Sequence, residues 1–254
     1  MYHLKYRLAN LNLDHLNTEL SPNQLDVASI ITEMGLFSLL LQNPLAFIVV
    51  AAVLVIAITI HEFAHAWTAD KLGDPTPRLQ DRVTLNPLAH LDPLGTLMIV
   101  LLGFGWGKPV MFDPYNLKNP MKDTALIALA GPVSNLLLAL LIVILMPLIS
   151  LTGISVDLIQ MIGMLAISYN VMLAIFNLVP IHPLDGGKIA VALLPHRLSL
   201  EYDDFMQKYG PIVLILLIFP FSGRSLISTV IAPIISIIVD SYAQLLIAFT
   251  GMFT

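Results

Sequence analysis

Long apolar runs separated by short polar, turn-rich stretches fill most of the chain. From Leu45 to Ile60 no residue carries a charge, and the run passes directly into His61-Glu62-Phe63-Ala64-His65 and on to Ala69. At 1.5 Å rise per residue the uncharged part covers roughly 24 Å of a hydrocarbon core roughly 30 Å thick. The pattern therefore predicts a membrane-spanning helix over 45–69, with the histidines inside the bilayer near its C-terminal end. Residues 124–149 and 158–179 read as further spans. Residues 211–221 and 226–250 read as two more, the first short and the second interrupted by Pro233 and Asp240. The expected fold is an all-α polytopic membrane protein of about five to six transmembrane helices.

Shorter apolar pieces are harder to place. Gly35–Gln42 is brief, and Asn43-Pro44 breaks or kinks the chain after it. Leu94–Phe104 is too short for a straight span. Next comes Gly103-Phe104-Gly105-Trp106-Gly107-Lys108-Pro109-Val110, whose alternating glycines point to irregular or extended backbone. At membrane depth such backbone is tolerated only where it is buried in protein or lines a wet cavity. The expectation is a re-entrant, β-hairpin-like element beside the histidine site. The polar, amphipathic residues 1–34 suggest an interfacial helix opening near Ser21-Pro22-Asn23-Gln24. Three regions follow: 1–43 polar and interfacial, 44–190 a membrane core, 191–254 a C-terminal loop with further helices.

Composition supports the membrane assignment: 57% of the 254 residues are hydrophobic and 11% charged, against about 25% charged in soluble domains. The net charge of −5 matters less than where the positive residues lie. No basic tract suits nucleic acid. Residues 1–30 lack the apolar core of a signal peptide, so insertion is expected to rely on the first span. Lys71, Arg78, Arg82, Lys108, Lys118 and Lys122 lie within 70–123, and Lys188, Arg197 and Lys208 within 180–208; the 150–157 loop has none. Alternation of spans then puts 70–123 and 180–208 on the cytoplasmic side. The expected location is a multi-pass protein of a prokaryotic plasma membrane, with its site toward the cytoplasm and lipid as surroundings.

His61 and His65 share one helical face one turn apart, which suits a single divalent metal, and Glu62 between them can act as general base. An ionisable residue at the end of a membrane-length run costs roughly 2.5–3.5 kcal/mol near a helix centre, so it marks function by default. Cysteine is absent, which leaves histidine and carboxylate as ligands. Catalytic zinc takes three protein ligands and keeps one position open. Asp185 is the best third candidate, beside Gly186 and Gly187 on the predicted side of His65. Asp240, His90 and His182 are alternatives, while Asp157 falls on the opposite side.

His61-Glu62-x-x-His65 in a membrane helix, followed by Asn177-x-x-Pro180-x-x-x-Leu184-Asp185-Gly186, resembles the site-2 protease family of intramembrane zinc metalloproteases. The Ala130-Gly131-Pro132-x-Ser134-Asn135 segment is similar to that family as well, and the likeness covers roughly residues 45–190. It implies one zinc ion per chain on His61, His65 and Asp185, with Glu62 catalytic. It implies that Asn177 holds the substrate or the developing oxyanion. Many relatives carry a PDZ domain or a CBS pair; no stretch here is long enough for either, so the chain looks like a minimal form.

The implied reaction is peptide hydrolysis within or near a transmembrane helix of a membrane-protein substrate, as in regulated intramembrane proteolysis. A helix hides its amides, so it must unwind locally first. Gly103, Gly105 and Gly107 could pair with the unwound strand, and Asn135 and Asn177 could bond its freed groups. A metal-ion transporter would place ionisable residues on several spans, whereas here they form two clusters. A non-catalytic zinc-binding membrane protein is the other alternative, although Glu62 and all three candidate ligands are present.

Overall fold

The computed structural model describes residues 36–37, 39–102, 105–150, 156–221 and 224–250. The interfacial helix expected within 1–34, Gly103 and most of the 150–157 loop lie outside these. Helices dominate. In chain order they are α1 (Pro44–Leu72), α2 (Thr76–Leu79), α3 (Pro93–Leu102), α4 (Pro120–Ser150), α5 (Val156–Asn177), α6 (Asp185–Leu193), α7 (His196–Ile218) and α8 (Leu226–Thr250). A two-residue antiparallel pair, β1 (Pro220–Phe221) with β2 (Arg224–Ser225), joins α7 to α8. Asn43 accepts a bond from Ala46 N through its side chain at the head of α1.

Among the described residues four helices are long and apolar enough to cross a membrane, within Pro44–Leu72, Pro120–Ile149, Ile159–Asn177 and Thr229–Leu246. Five to six were expected. The difference lies largely in 196–218, where the polar stretch and the short apolar run join into the single helix α7, with Pro211 inside it. Only its second half is apolar, so it does not qualify as a span. Proline removes one backbone bond here without ending the helix.

The chain forms two compact units. One comprises the described residues up to Ile48 together with Pro93–Trp106. There α3 packs against Gly105 and Trp106: a methyl group on Gly95 would sit 2.1 Å from Trp106 O, and one on Gly105 2.1 Å from Gly95 O. The other unit comprises Val49–Asp92 and Gly107–Thr254. Its centre is the packing of α4, α5 and α8 around Ala139, Val143, Met146, Ile167, Val171 and Leu246. Gly163 of α5 admits the Met146 side chain, whose sulfur would lie 2.1 Å from an added Cβ. A smaller cluster of Ala69, Leu117 and Ile127 ties α1 to the start of α4. Ile56, Leu137, Leu141 and Ile237 remain exposed, which suits helices whose outer faces meet lipid.

The hairpin expected over 103–110 is not formed among the described residues. In its place Gly107 makes one antiparallel bridge to Leu91, with Lys108 N donating to His90 O at 2.7 Å. Pro109 has no N–H with which to extend the ladder. The carbonyls of Lys108 and Pro109 are taken by the Arg82 side chain.

Candidate metal centre

Helix α1 is built from an Ala-, Val- and Ile-rich run that holds its backbone bonds internally and carries His61 and His65 on one face. The two imidazoles stand edge to face, ring centres 4.6 Å apart. Asp185 reaches them from a different part of the chain. After α5 ends at Asn177, turns lead to Leu184, extended at φ −68° and ψ 156°, and Asp185 opens α6. Asp185 is thus the first residue of a separate short helix rather than the end of a span. Gly186 permits this path, because an added Cβ would lie 2.3 Å from the carbonyl oxygens of Leu178 and Val179.

The carboxylate Oδ2 of Asp185 lies 3.1 Å from His61 Nε2 and 3.2 Å from His65 Nε2, and all three residues are buried. The far side of each ring is also engaged. His61 Nδ1 lies 2.6 Å from Asn135 Oδ1, and His65 Nδ1 lies 2.7 Å from Ile127 O. Both partners are oxygens that accept, so Nδ1 donates in each ring and a neutral imidazole turns its lone pair at Nε2 toward Asp185. Two lone pairs and a carboxylate oxygen then converge with no donor among them, an arrangement that calls for a cation. Imidazole nitrogen with carboxylate oxygen suits zinc, and the oxygen partners behind the rings match what zinc-bound histidines require. Candidate ligand atoms from the three residues lie within 4.8 Å of one another. The residues fit the metal.

Helix α4 makes room for this group. A Cβ at Gly131 would fall 2.5 Å from His65 Nε2 and 2.6 Å from His61 Cε1. Four residues on, Asn135 is fully buried. Its Nδ2 donates to Ala57 O at 3.1 Å and to Asn170 Oδ1 at 2.9 Å. With both amide hydrogens committed, Oδ1 is left to face His61. Asn170 is itself oriented by donating to Ala166 O at 2.8 Å. Sequence analysis passed over Asn170. The available signal was an amide inside an apolar span, where a polar side chain needs a partner.

The other predicted positions are distributed as follows. Glu62 lies on the side of α1 toward Gly107, whose added Cβ would stand 3.3 Å from Glu62 Oε1. Asn177 donates to Leu173 O at 2.9 Å within its own helix; no hydrogen bond among the described residues links it to the three-residue group. Gly105 packs on α3 in the other compact unit. Of the alternative ligands, His90 is fully buried and its Nε2 donates to Thr84 O at 2.7 Å. Burial pushes its pKa down, so it is neutral near pH 7. His182 Nε2 pairs with Asp203 at 2.9 Å, and Asp240 is exposed on α8. None of these three joins His61 and His65.

The sequence model described as Peptidase family M50 matches residues 148–219. The chain is 38% identical over 169 residues to YwhC of Bacillus subtilis, covering 65% of this chain and 77% of that protein. It is 33% identical over 192 residues to Rip2 of Mycolicibacterium smegmatis, covering 70% of each. Both are named as putative zinc metalloproteases. No solved structure matches the chain.

Proposed function

The chain belongs to peptidase family M50, the site-2 protease family of zinc metalloproteases, and from that premise we propose that it cleaves peptide bonds in or next to transmembrane segments of other membrane proteins. The observation that carries this reading is the convergence of His61 Nε2, His65 Nε2 and Asp185 Oδ2, with Glu62 one residue from a ligand on a helix of membrane-spanning length. His61, His65 and Asp185 hold the zinc ion. When bound, it supplies Lewis-acid activation of a water and of the scissile carbonyl.

Glu62 accepts a proton from the attacking water at a carboxylate oxygen and passes it to the nitrogen of the leaving amine. Asn135 keeps His61 in the tautomer that offers Nε2, and Ile127 O does the same for His65. Asn177 bonds the substrate backbone or the developing oxyanion. All three ligands are buried, while Glu62 is only partly so.

The substrate is an extended segment released from a helix. Because the bridge bond runs from Lys108 N to His90 O, Leu91 and Gly107 form a non-hydrogen-bonded pair whose own N–H and C=O groups point away from each other. Gly107 therefore offers a strand edge beside Glu62, suited to strand addition by an unwound peptide. Recognition through backbone makes selectivity depend on how readily the substrate helix unwinds. The Lys and Arg distribution favours a site facing the cytoplasm.

The test uses the purified chain in detergent with zinc and a model transmembrane peptide. The unmodified protein should bind one zinc and cut the peptide. Glu62→Gln should keep the zinc and lose cleavage; normal cleavage by Glu62→Gln would remove this mechanism.

A further inference from the structure

We propose that Arg82 is a positioning residue for proteolysis: it fixes the extended segment Gly107–Val110 against the Glu62 carboxylate, so that a peptide lying along that segment is in register with the proton carrier. This inference rests on the functional reading above.

The local chain aims Arg82 inward. Helix α2 ends at Leu79 with Gln80 as its C-cap, and Asp81 follows in the left-handed region at φ 54°. Asp81 N donates to Arg78 O at 3.1 Å and Arg82 N to Pro77 O at 2.8 Å. This paired pattern is a Schellman motif, in which the left-handed position usually takes glycine and the residue after it usually turns an apolar side chain inward. Here the inward side chain is a guanidinium, and it is 4% exposed.

Burying that charge requires partners, and they identify the role. Nη1 donates to Pro109 O at 2.9 Å, Nη2 donates to Lys108 O, and Nη2 stands 3.9 Å from Glu62 Oε2. A planar fork spans two successive carbonyls and a carboxylate at once; a lysine ammonium, a point charge on a flexible stem, does not. The guanidinium takes the place of a neighbouring strand along Lys108 and Pro109. It holds the segment from one side while Gly107 faces Glu62 on another. Gly107 is confined there, since an added Cβ would meet Ile58 Cγ2 at 3.0 Å, His90 O at 3.2 Å and Glu62 Oε1 at 3.3 Å. Loosening Arg82 shifts the segment relative to the carboxylate. A misplacement of about 1 Å costs about 100-fold in rate.

The experiment compares the full chain with Arg82→Gln, Arg82→Lys and Glu62→Gln, in detergent with zinc and a model transmembrane peptide. It reads kcat, KM, zinc content and the thermal unfolding midpoint. Both Arg82 variants should keep one zinc and stay folded at the assay temperature, with a lowered midpoint because the Lys108 and Pro109 carbonyls lose their partner. Their kcat should fall about 100-fold, with KM changing by less than about threefold. Arg82→Lys keeps the charge and loses the fork, so it should remain within about tenfold of Arg82→Gln. Should Arg82→Gln fail to fold, Arg82→Lys carries the measurement. An unchanged kcat, or a loss that tracks zinc loss or unfolding in both variants, overturns the inference. Cleavage that survives Glu62→Gln overturns the functional reading instead.

Discussion

Asn135 Oδ1 lies 2.6 Å from His61 Nδ1, across 74 residues of sequence. That single bond decides which nitrogen of His61 is free, and the decision is made one step further back. Asn170 Oδ1 takes one hydrogen of the Asn135 amide and Ala57 O takes the other, so the amide cannot turn over without losing two donors. The order of the relay is Asn170, Asn135, His61, Asp185.

Asn135→Leu should weaken zinc binding by about 10–100-fold, the usual effect of removing the partner behind a metal-bound histidine. Asn170→Leu should act in the same direction and less strongly, because Asn135 keeps its bond to Ala57 O. Competition with a chromophoric chelator measures both. Equal affinity in all three proteins would show that the relay does not set the tautomer.

Gly131→Ala should be more severe than its single methyl suggests. The methyl group would sit 2.5–2.6 Å from ring atoms of both His61 and His65, and these rings are held at their far sides. Neither can withdraw without breaking a bond to Asn135 or Ile127. Loss of stoichiometric zinc is the expected outcome, read by metal analysis after gel filtration. Full zinc content would mean that α4 can shift outward.

The proposed cytoplasmic orientation predicts a labelling pattern. The chain contains no cysteine, so single cysteines at Lys118 and Ser155 report cleanly. In sealed right-side-out vesicles of cells, a membrane-impermeant thiol reagent should label the Ser155→Cys chain and spare Lys118→Cys. The reverse pattern would invert the topology and place the site on the outer side.

Asp74 supplies a pH dependence outside the spans. It is fully buried and accepts bonds from Thr76 N and Oγ1, Asp113 N and Asn116 Nδ2. Burial opposes its charge, but those bonds outweigh it and hold its pKa below the usual carboxylate value. A lowered folded-state pKa means that the stabilisation is present above the unfolded value of about 4 and disappears as pH falls through the folded one. Asp74→Asn should therefore lose roughly 2 kcal/mol near neutral pH and show a shallower fall in stability toward acid. Denaturation midpoints of both proteins from about pH 7 down to about pH 3 measure this. Parallel curves would exclude Asp74 as a contributor.

The sequence by itself determined what depends on local chemistry. The run of uncharged residues before His61 sets a membrane helix, because a bilayer admits only backbone that satisfies its own bonds. The four-residue spacing of His61 and His65 sets a shared face through helical period alone. The paired motifs around Glu62 and Asp185 marked the family. What only the tertiary structure decided is how separate segments meet. It carried Asp185, which the Leu184-Asp185-Gly186 motif had already favoured, onto His61 and His65, and it left Asp240, His90 and His182 apart from them. It turned 196–218 into one helix where hydropathy suggested a loop and a short span. It put Asn135 behind an imidazole, brought in Asn170, and drew Arg82 inward to Glu62 through a left-handed turn at Asp81. A buried amide or guanidinium takes its role from whichever partners three-dimensional packing supplies, and neither residue type nor period names those partners in advance.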